Sequence, residues 1–340
     1  MTGAIPLGMV GGGEGAFIGG VHRIAARLDG RFRLVAGTLS SDPARAEASA
    51  RNLGLDRSYS DFREMARAEA AREDGIRAVS VVTPNHLHAP VATAFLDAGI
   101  HVICDKPLAA TTGQAREIAN AAERSTARLF LTHNYCAHPM VREARAIVAE
   151  GGIGDLRLVQ AEFLQGWLAG DVHSKQADWR TDPAQSGAGA IGDIGTHAWQ
   201  LAAFVTGQVP DRVSADLSSM VPGRRVDDDA RVALRYPSGA KGGLWCSQVA
   251  VGQEGGLSLR VFGTEGALEW RLDDAERLVF TPKDGPAQLL TRARDRSASS
   301  RTPTGHPEGY LEAFANLYAD IADVIGGDLR PADRIPGLAD

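Results

Sequence analysis

Residues 5–19, IPLGMVGGGEGAFIG, give the first indication of the fold class of this chain. Its first part is apolar and is predicted to form a buried strand, which glycines follow at once. Glycines at this place let the backbone turn sharply and approach a pyrophosphate, whose charge meets the N-terminus of the next helix. Gly11, Gly13 and Ala16 fit the spacing of such a dinucleotide-binding turn. A merely flexible turn is the alternative, and a helix that began nearer Gly19 would lengthen the loop.

Strands and helices alternate from this stretch to about residue 132. Apolar runs predict strands, and segments of helical periodicity predict the helices between them. The further strands are predicted at residues 32–37, 78–83, 100–104 and 128–132, and the helices at residues 43–53, 88–98 and 112–124, with another opening at residues 59–62. Strands that are buried on both faces and joined by helices predict a parallel, doubly wound sheet with ligands at the carboxyl ends of its strands.

The pattern changes at about residue 155 to alternating apolar and polar residues. Strands are predicted at residues 156–163, 212–217, 230–236, 240–247, 257–263, 267–272 and 278–281. Such alternation, with short turns, predicts an open, mostly antiparallel sheet with one covered face. We therefore expect two domains, at residues 1–133 and 134–340. The run Asp227-Asp228-Asp229 is interpreted as a solvated turn before a strand, with a carboxylate that reaches a hydroxyl as the alternative.

Two short motifs carry the candidate chemistry. Lys106, at the end of a predicted strand, supplies a movable cation that can stabilise a negatively charged oxygen. Asp193 and His197 are four residues apart and share one face if they lie on a helix. Histidine suits proton transfer because its ordinary pKa lies near neutrality. The alternatives are a surface lysine, a buried core histidine and, for Asp193, the N-cap of a helix over residues 195–205.

Composition excludes several classes of protein. The chain has 340 residues, of which 44% are hydrophobic, enough for two sizeable cores. A net charge of −6 gives no basic surface for nucleic acid, and no apolar run is long enough to cross a bilayer. Cys104, Cys136 and Cys246 are scattered and odd in number, which is typical of buried thiols in a reducing compartment. We therefore expect a cytoplasmic enzyme without nucleic-acid or membrane partners.

The chain resembles, over nearly its whole length, the family of glucose-fructose oxidoreductase, inositol dehydrogenase and MocA-like oxidoreductases. The resemblance is carried by the glycine turn, Thr83-Pro84-Asn85-His86-Leu87-His88, Asp105-Lys106-Pro107, Asn134-Tyr135, residues 179–183 and residues 186–197. It implies an α/β Rossmann domain followed by an α+β domain with an open, mostly antiparallel sheet, which carries the substrate site. It also implies hydride transfer between NAD or NADP and a secondary alcohol or ketone of a sugar, glycoside or cyclic polyol. A homodimer or homotetramer built on the open sheet is expected.

The resemblance assigns roles to individual residues, and it implies no metal site. The expected catalytic residues are Lys106, Asp193 and His197. The expected cofactor contacts are Gly11, Gly13, Ala16, Phe17, Ile18, Ser40, Ser41, Arg45, Thr83, Pro84, Asn85, His88, Lys106, Pro107 and Asn134. The expected substrate contacts are Tyr135, Trp179, Arg180, Asp193, His197, His306 and Tyr310. Packing at a subunit interface is the alternative for His306 and Tyr310, and a metal held by Asp193, His197 and His173 is not expected.

The end of the second strand bears on the choice of cofactor. An acidic residue there grips the ribose hydroxyls of NAD and repels the 2′-phosphate of NADP. This chain has Ser40 at the adenosine-facing position, and Arg45 follows in the first turn of the next helix. Serine and arginine resemble the pattern of family members that use NADP, so NADP is slightly favoured. Asp42 keeps NAD open, because a loop shifted by two residues would return an acid to the ribose.

The sequence differs from the family at two places, and two other functions remain as alternatives to the dehydrogenase. Cys136 stands where many relatives have arginine, which argues against an anionic substrate group at that segment. Relatives also continue for another helix beyond residues 335–340, so a shortened C-terminus is an open alternative. One other function is a cofactor-binding regulator without turnover, and the other is a glycosidase that uses its nicotinamide transiently. An intact Lys106, Asp193 and His197 argue against the regulator.

Overall fold

The computed structural model describes residues 3–294 and 299–327, and these divide into two compact units. The first unit contains the described residues up to Thr132 together with the helical segment from Phe314 onward, and the second unit is His133–Ala313. The predicted domain boundary after residue 133 stays a prediction. The segment at residues 335–340, on which a shortened C-terminus was considered, lies outside the described residues.

In the first unit, the described strands form one parallel sheet. They are β1 (Ile5–Gly11), β2 (Phe32–Thr38), β3 (Arg57–Ser58), β4 (Ala78–Val82), β5 (His101–Cys104) and β6 (Leu129–Leu131), in the order β3-β2-β1-β4-β5-β6. The order reverses between β1 and β4, which is the crevice where doubly wound sheets bind their ligands. The predicted doubly wound sheet is therefore confirmed.

Helices separate these strands where the sequence provides their caps. They are α1 (Phe17–Leu28), α2 (Pro43–Leu53), α3 (Phe62–Ala70), α4 (His88–Asp97) and α5 (Thr112–Arg124). The side chains of Asp61 and Thr111 accept hydrogen bonds from the first turns of α3 and α5, at 2.7 and 3.2 Å. β4 is buried along its whole length, because helices cover both faces of the sheet.

In the second unit, the described strands form a larger sheet. They are β7 (Leu156–Leu164), β8 (Arg212–Ser218), β9 (Asp229–Arg235), β10 (Lys241–Ser247), β11 (Gly256–Gly263), β12 (Gly266–Arg271), β13 (Arg277–Pro282) and β14 (Gln288–Thr291). Their order is β14-β13-β12-β11-β7-β10-β9-β8, and every neighbouring pair except β7–β10 is antiparallel. The predicted, mostly antiparallel sheet is confirmed; β14 was not predicted.

One face of this sheet is covered by helices. The helices of the second unit are α6 (Pro139–Ala149), α7 (Lys175–Thr181), α8 (Pro183–Ser186) and α9 (Thr196–Thr206), and α9 packs on β7 and β11. Val159 and Phe163 of β7 point to the covered face and are buried. Leu158 has the opposite direction, pairs with Phe262 of β11, and is exposed together with it. The uncovered side of the sheet is called the open face below.

The helix α10 (Tyr310–Gly326) begins in the second unit, and from Phe314 onward it belongs to the first. The hydroxyl of the buried Tyr318 lies 2.8 Å from Nδ1 of His22 and 2.6 Å from the hydroxyl of Ser80. Through these contacts, α10 packs against α1 and β4. Within the described ranges, no helix is long and apolar enough to cross a membrane. Cys104, Cys136 and Cys246 are buried free thiols, as predicted.

Candidate functional site

The glycine turn after β1 is closely packed against its neighbours. Gly11 has φ +81, a left-handed conformation that favours glycine. A Cβ atom on Gly13 would lie 2.5 Å from the carbonyl oxygen of Leu39, and one on Gly19 would lie 2.4 Å from Cα of Gly12. The helix α1 begins at Phe17, so the longer loop considered above is wrong. The N-terminus of α1 therefore follows the glycine turn directly, an arrangement that fits a dinucleotide pyrophosphate.

The sequence did not identify Gly19 as important. Its close approach to Gly12 packs α1 directly on the turn, which is the task that a glycine or alanine has in dinucleotide-binding folds. Ile18, which was expected to contact the cofactor, packs against Met9, Leu39 and Val82. Its side chain therefore supports the turn from the side of the hydrophobic core. Phe17 is exposed at the start of the helix.

After β2, the carboxylate of Asp42 has a structural partner. It accepts a hydrogen bond of 2.8 Å from the backbone N–H of Arg45 and so caps α2. The backbone N–H of Asp42 donates to the hydroxyl of Ser40 at 3.1 Å. Ser41 and the Arg45 side chain are exposed. The carboxylate of Asp42 is thus bound to the start of α2, while Ser41 and Arg45 are exposed to solvent.

His88 joins the two loops that follow β4 and β5. Its Nε2 lies 2.9 Å from the carbonyl oxygen of Thr83, and its Nδ1 lies 2.9 Å from that of Pro107. Burial lowers the pKa of His88, so it is neutral at neutral pH and donates its single N–H to one of the two oxygens. The structure therefore places His88 beneath the loops. Next to it, Asn85 is buried and Pro84 is half-buried at the strand end.

Lys106 follows a carboxylate that is anchored by its neighbours. Asp105 accepts a hydrogen bond of 2.7 Å from the hydroxyl of Thr132, and its Oδ1 lies 3.6 Å from Nε2 of His22. Burial alone raises the pKa of Asp105, but the contact with His22, the charge of Lys106 and the Thr132 hydroxyl lower it to about 2. Asp105 is therefore ionised at neutral pH. Through Asp105 on one side and Pro107 on the other, the backbone at Lys106 is held in place.

Asp193 lies in a π-helical turn, Ile191–Gly195, that runs directly into α9. Its Oδ2 accepts hydrogen bonds from Nε of Arg180 at 3.2 Å and from Nε2 of Gln248 at 2.9 Å. The helix predicted at residues 195–205 is confirmed, and the alternative that Asp193 is its N-cap is wrong, because Gly195 has that position. Asp193 lies one turn earlier, in a π-helical turn of a kind that often occurs at functional sites. Gln248 was not among the expected residues, and its position after β10 gives no local signal of this contact.

Around His197, the second unit forms a cluster of aromatic rings. The ring of Tyr135 lies 4.7 Å from the His197 ring, that of His133 lies 5.6 Å away, and that of Phe163 lies 6.0 Å away. Burial raises the pKa of Tyr135, and the nearby charge of Asp193 raises it further, so its hydroxyl stays protonated. Tyr310 lies 6.3 Å from Tyr135. The structure thus brings together Tyr135, Asp193, His197 and Tyr310.

The guanidinium of Arg180 lies near two tryptophan rings. Its Cζ is 4.3 Å from the ring centre of Trp179 and 6.0 Å from that of Trp167. Its Nη1 also donates to the side chain of Gln176 at 2.8 Å. Trp167, which the sequence analysis did not select, is 40% exposed. The guanidinium is therefore engaged with Asp193 and the rings, which makes Arg180 a neighbour of the expected acid.

Three other residues considered in the sequence analysis have different degrees of exposure. Asn134 is buried in a 3-10 turn, Asn134–Ala137. His306 is exposed, and its backbone oxygen accepts a hydrogen bond of 2.5 Å from Arg292. The side chain of His173 is 81% exposed, beside Asp171 and Asp178. In the part of the chain that the structure describes, no group of three or more histidine, cysteine, aspartate or glutamate side chains is arranged to hold a metal ion.

The run Asp227–Asp229 is not a solvated turn, and that prediction is wrong. Asp228 is 0% exposed and accepts hydrogen bonds from the backbone N–H groups of Met220 and Val221, at 2.8 and 3.0 Å. Asp229 accepts from the indole of Trp245 at 3.0 Å. Asp228 and Asp229 are therefore buried, and each accepts hydrogen bonds from N–H groups that need an acceptor away from water.

Two family models match this chain. Residues 5–133 match the oxidoreductase family with a NAD-binding Rossmann fold, and residues 141–269 match the GFO/IDH/MocA C-terminal domain. The crystal structure of an oxidoreductase from Sinorhizobium meliloti is 50% identical in sequence, has a TM-score of 0.90, and covers 99% of this chain and 93% of that one.

Two relatives with named ligands or substrates are also similar. The crystal structure of an inositol dehydrogenase homolog from Azotobacter vinelandii, complexed with NADH and myo-inositol, is 35% identical, with a TM-score of 0.90 over 96% of this chain and 88% of that one. Levoglucosan dehydrogenase from Pseudarthrobacter phenanthrenivorans is 30% identical over 302 residues, which are 80% of this chain and 75% of that protein. The two matched domains and these similarities show that the chain belongs to the GFO/IDH/MocA family of oxidoreductases.

Proposed function

We propose that this protein transfers hydride between a nicotinamide cofactor and a secondary alcohol or ketone of a sugar, glycoside or cyclic polyol. The observation that carries the proposal is the cluster in the second unit, in which Tyr135, Asp193 and His197 lie together. A protonated phenol, an anchored carboxylate and an imidazole are the donors and acceptors that a polyol needs. Relatives whose names include inositol and levoglucosan dehydrogenases point to the same class of substrate.

In oxidation, each proposed catalytic residue has one task. His197 takes the proton of the reacting hydroxyl, because imidazole accepts a proton near neutral pH. Lys106 donates a hydrogen bond to the same oxygen and stabilises the negative charge that develops on it. Asp193 orients the substrate through its carboxylate, which Arg180 and Gln248 hold. A bound nicotinamide would supply the hydride acceptor for oxidation, and in reduction His197 would return the proton to the substrate oxygen.

We propose that the cofactor is held by the residues expected from the sequence, of which the glycine turn and the loops after β2, β4 and β5 are the main parts. The turn receives the pyrophosphate, and Ser40, Ser41 and Arg45 lie near the adenosine ribose. His88, which is buried, supports the loops from within. Trp179, Arg180 and Tyr310 form part of the wall of the substrate site, with His306 at its edge.

A substrate screen tests the proposed function. Sugars, glycosides, anhydrosugars and inositols are scanned with NAD and NADP for a change in the absorbance of reduced nicotinamide. We expect turnover with at least one sugar or cyclic polyol. Tight cofactor binding without turnover of any compound would favour a regulator. Release of free sugar from a glycoside, without a net change of the cofactor, would favour a nicotinamide-dependent glycosidase.

For the cofactor, we expect NADP to bind more tightly than NAD. The Asp42 carboxylate caps α2, which leaves Ser40 and Arg45 to meet a 2′-phosphate. The measurement is a titration of tryptophan fluorescence with each cofactor, together with the variant Arg45→Ala. Arg45→Ala should weaken NADP binding and leave NAD binding unchanged. If NAD binds about tenfold more tightly, equivalent to about 1.4 kcal/mol, the Ser40 and Arg45 interpretation is wrong and Asp42 takes the ribose.

For the assembly, we expect a homodimer or homotetramer formed through the open face of the second unit. Leu158 and Phe262 form an exposed apolar pair there, and covering such a pair is favourable. Light scattering at micromolar concentration should give the mass of a dimer or tetramer, and Leu158→Asp should give a monomer. Val251→Asp is the matched control, because Val251 is exposed in a turn of the same unit. A monomeric wild-type protein would contradict this expectation.

A further inference from the structure

The carboxylate of Asp227 lies at the start of the helix that carries Asp193 and His197. One carboxylate oxygen accepts a hydrogen bond of 2.8 Å from the backbone N–H of Gly189, and the other accepts one of 2.7 Å from that of Ile191. The carbonyl oxygen of Asp227 accepts from the backbone N–H of Ala190 at 2.8 Å. One residue thus satisfies three consecutive N–H groups that a helix start leaves without acceptors. Its negative charge also suits a helix N-terminus.

The backbone of Asp227 lies in close contact with the backbone of Gly189 at the helix start. A Cβ atom on Gly189 would lie 1.7 Å from the carbonyl oxygen of Asp227, so only glycine allows this approach. The carbonyl oxygen of Gly189 in turn accepts a hydrogen bond of 2.9 Å from the backbone N–H of Asp193. Asp227 is therefore connected to the backbone of Asp193 through one intervening residue.

A second connection reaches Asp193 from the same strand ends. The backbone N–H of Gln248, which follows β10, donates to the carbonyl oxygen of Asp228 at 2.8 Å. The side chain of Gln248 donates to the carboxylate of Asp193 at 2.9 Å. Asp193 is thus fixed at its backbone through Asp227 and at its carboxylate through Gln248. Both contacts come from neighbouring strand ends, because Asp227 precedes β9 and Gln248 follows β10.

We propose that Asp227 is a positioning residue for the reaction. Its carboxylate fixes the direction in which Asp193 and His197 present their side chains, and it acts only through the helix. This inference rests on the proposed function, since it assigns those two residues to substrate. Asparagine at this position keeps the shape but replaces one acceptor oxygen by an NH₂ donor. The Asp227→Asn variant therefore loses one of the two backbone contacts and the charge.

His197 reports the change because it lies on the helix whose start Asp227 holds. Its described ring contacts include two titratable groups, His133 and Tyr135 from the segment before α6, and the uncharged ring of Phe163 on β7. Asp193, on its own helix, contributes a negative charge that also raises the pKa of Tyr135. Removing a negative charge near an imidazole, or moving it away, disfavours the protonated form and lowers the pKa.

The experiment compares Asp227→Asn with Asp229→Asn in the full-length protein. Asp229 is a suitable control, because it is a neighbouring, buried carboxylate whose described side-chain partners are Trp245 and Arg231, in place of the backbone N–H groups of the helix start. The titration of His197 is followed by NMR of its imidazole, assigned with His197→Gln. Steady-state kinetics of both variants supply kcat, KM and the pH profile, and thermal unfolding supplies Tm.

We expect Asp227→Asn to lower the pKa of His197 and to lower kcat by about a hundredfold, the size of effect that a small misplacement of catalytic groups produces. NADH binding should be unchanged. Asp229→Asn should leave the pKa of His197 and kcat as in the wild type. An unchanged His197 titration in Asp227→Asn, or equal effects of both variants, would overturn the inference. The NMR titration decides this even if the wild-type protein turns over no polyol, a result that would contradict the proposed function alone.

Discussion

Replacing Lys106 by alanine is expected to lower kcat by about two to three orders of magnitude, the loss that follows removal of one donor aimed at a developing oxyanion. Lys106 is held between the anchored carboxylate of Asp105 and the carbonyl group of Pro107, so its side chain starts from a fixed backbone. The effect should appear in kcat more than in cofactor binding, because the glycine turn is untouched. The measurements are steady-state kinetics and a fluorescence titration with NADH or NADPH.

The control for this variant is Lys241→Ala, which removes an exposed lysine at the start of β10. It should have the activity of the wild type. If Lys106→Ala keeps half of the wild-type activity, Lys106 is a surface lysine at a strand end and not a catalytic residue. Loss of cofactor affinity with unchanged kcat would instead place Lys106 in cofactor binding alone.

Replacing His197 by alanine is expected to lower kcat by about two to four orders of magnitude, the range of general acid–base catalysis. The dependence of turnover on pH near neutrality should disappear at the same time, because the group that titrates there is gone. Asp193→Asn should impair turnover less, since that carboxylate orients the substrate. The pH profile of kcat/KM for the three proteins is the measurement.

The buried position of His197 requires a second variant. Alanine leaves a cavity among the rings of Tyr135 and Phe163, whereas His197→Gln fills most of that space. Both variants should lose the neutral-pH dependence, even if only alanine lowers stability. His173→Ala, at a highly exposed histidine, should leave kcat and its pH profile unchanged. A wild-type pH profile in His197→Gln would exclude His197 as the base.

The fold could be predicted because its signals are local in sequence. A strand buried on both faces, such as β4, needs a continuous apolar run, and a half-covered strand, such as β9, needs alternation. Cap residues such as Thr111 mark helix starts for an equally local reason, since they bond a backbone N–H three residues away. The helix α6 also has a local signal, the helical spacing of the apolar residues Met140, Ala144 and Ile147, but it was not among the predicted helices.

The candidate site was only partly predictable. The glycine turn, Lys106 and the pair Asp193 and His197 stand out because each needs a particular residue type at a fixed spacing. The aromatic surroundings of His197 are different, since Tyr135 and Phe163 come from a turn and a strand that are distant in sequence. Composition gives no indication of which aromatic residues meet.

Local patterns were sufficient to predict the two kinds of sheet, and they selected the glycine turn and the pair Asp193 and His197 as candidates. The contacts that hold these parts are visible only in the folded structure: Gly19 packs against Gly12, Gln248 binds Asp193, and Asp227 binds Gly189. A run of three acids is usually solvated, and nothing local distinguishes this one. Its burial follows from packing, because folding brings backbone N–H groups without acceptors to β9, and a buried donor must be satisfied by whatever acceptor the fold places beside it.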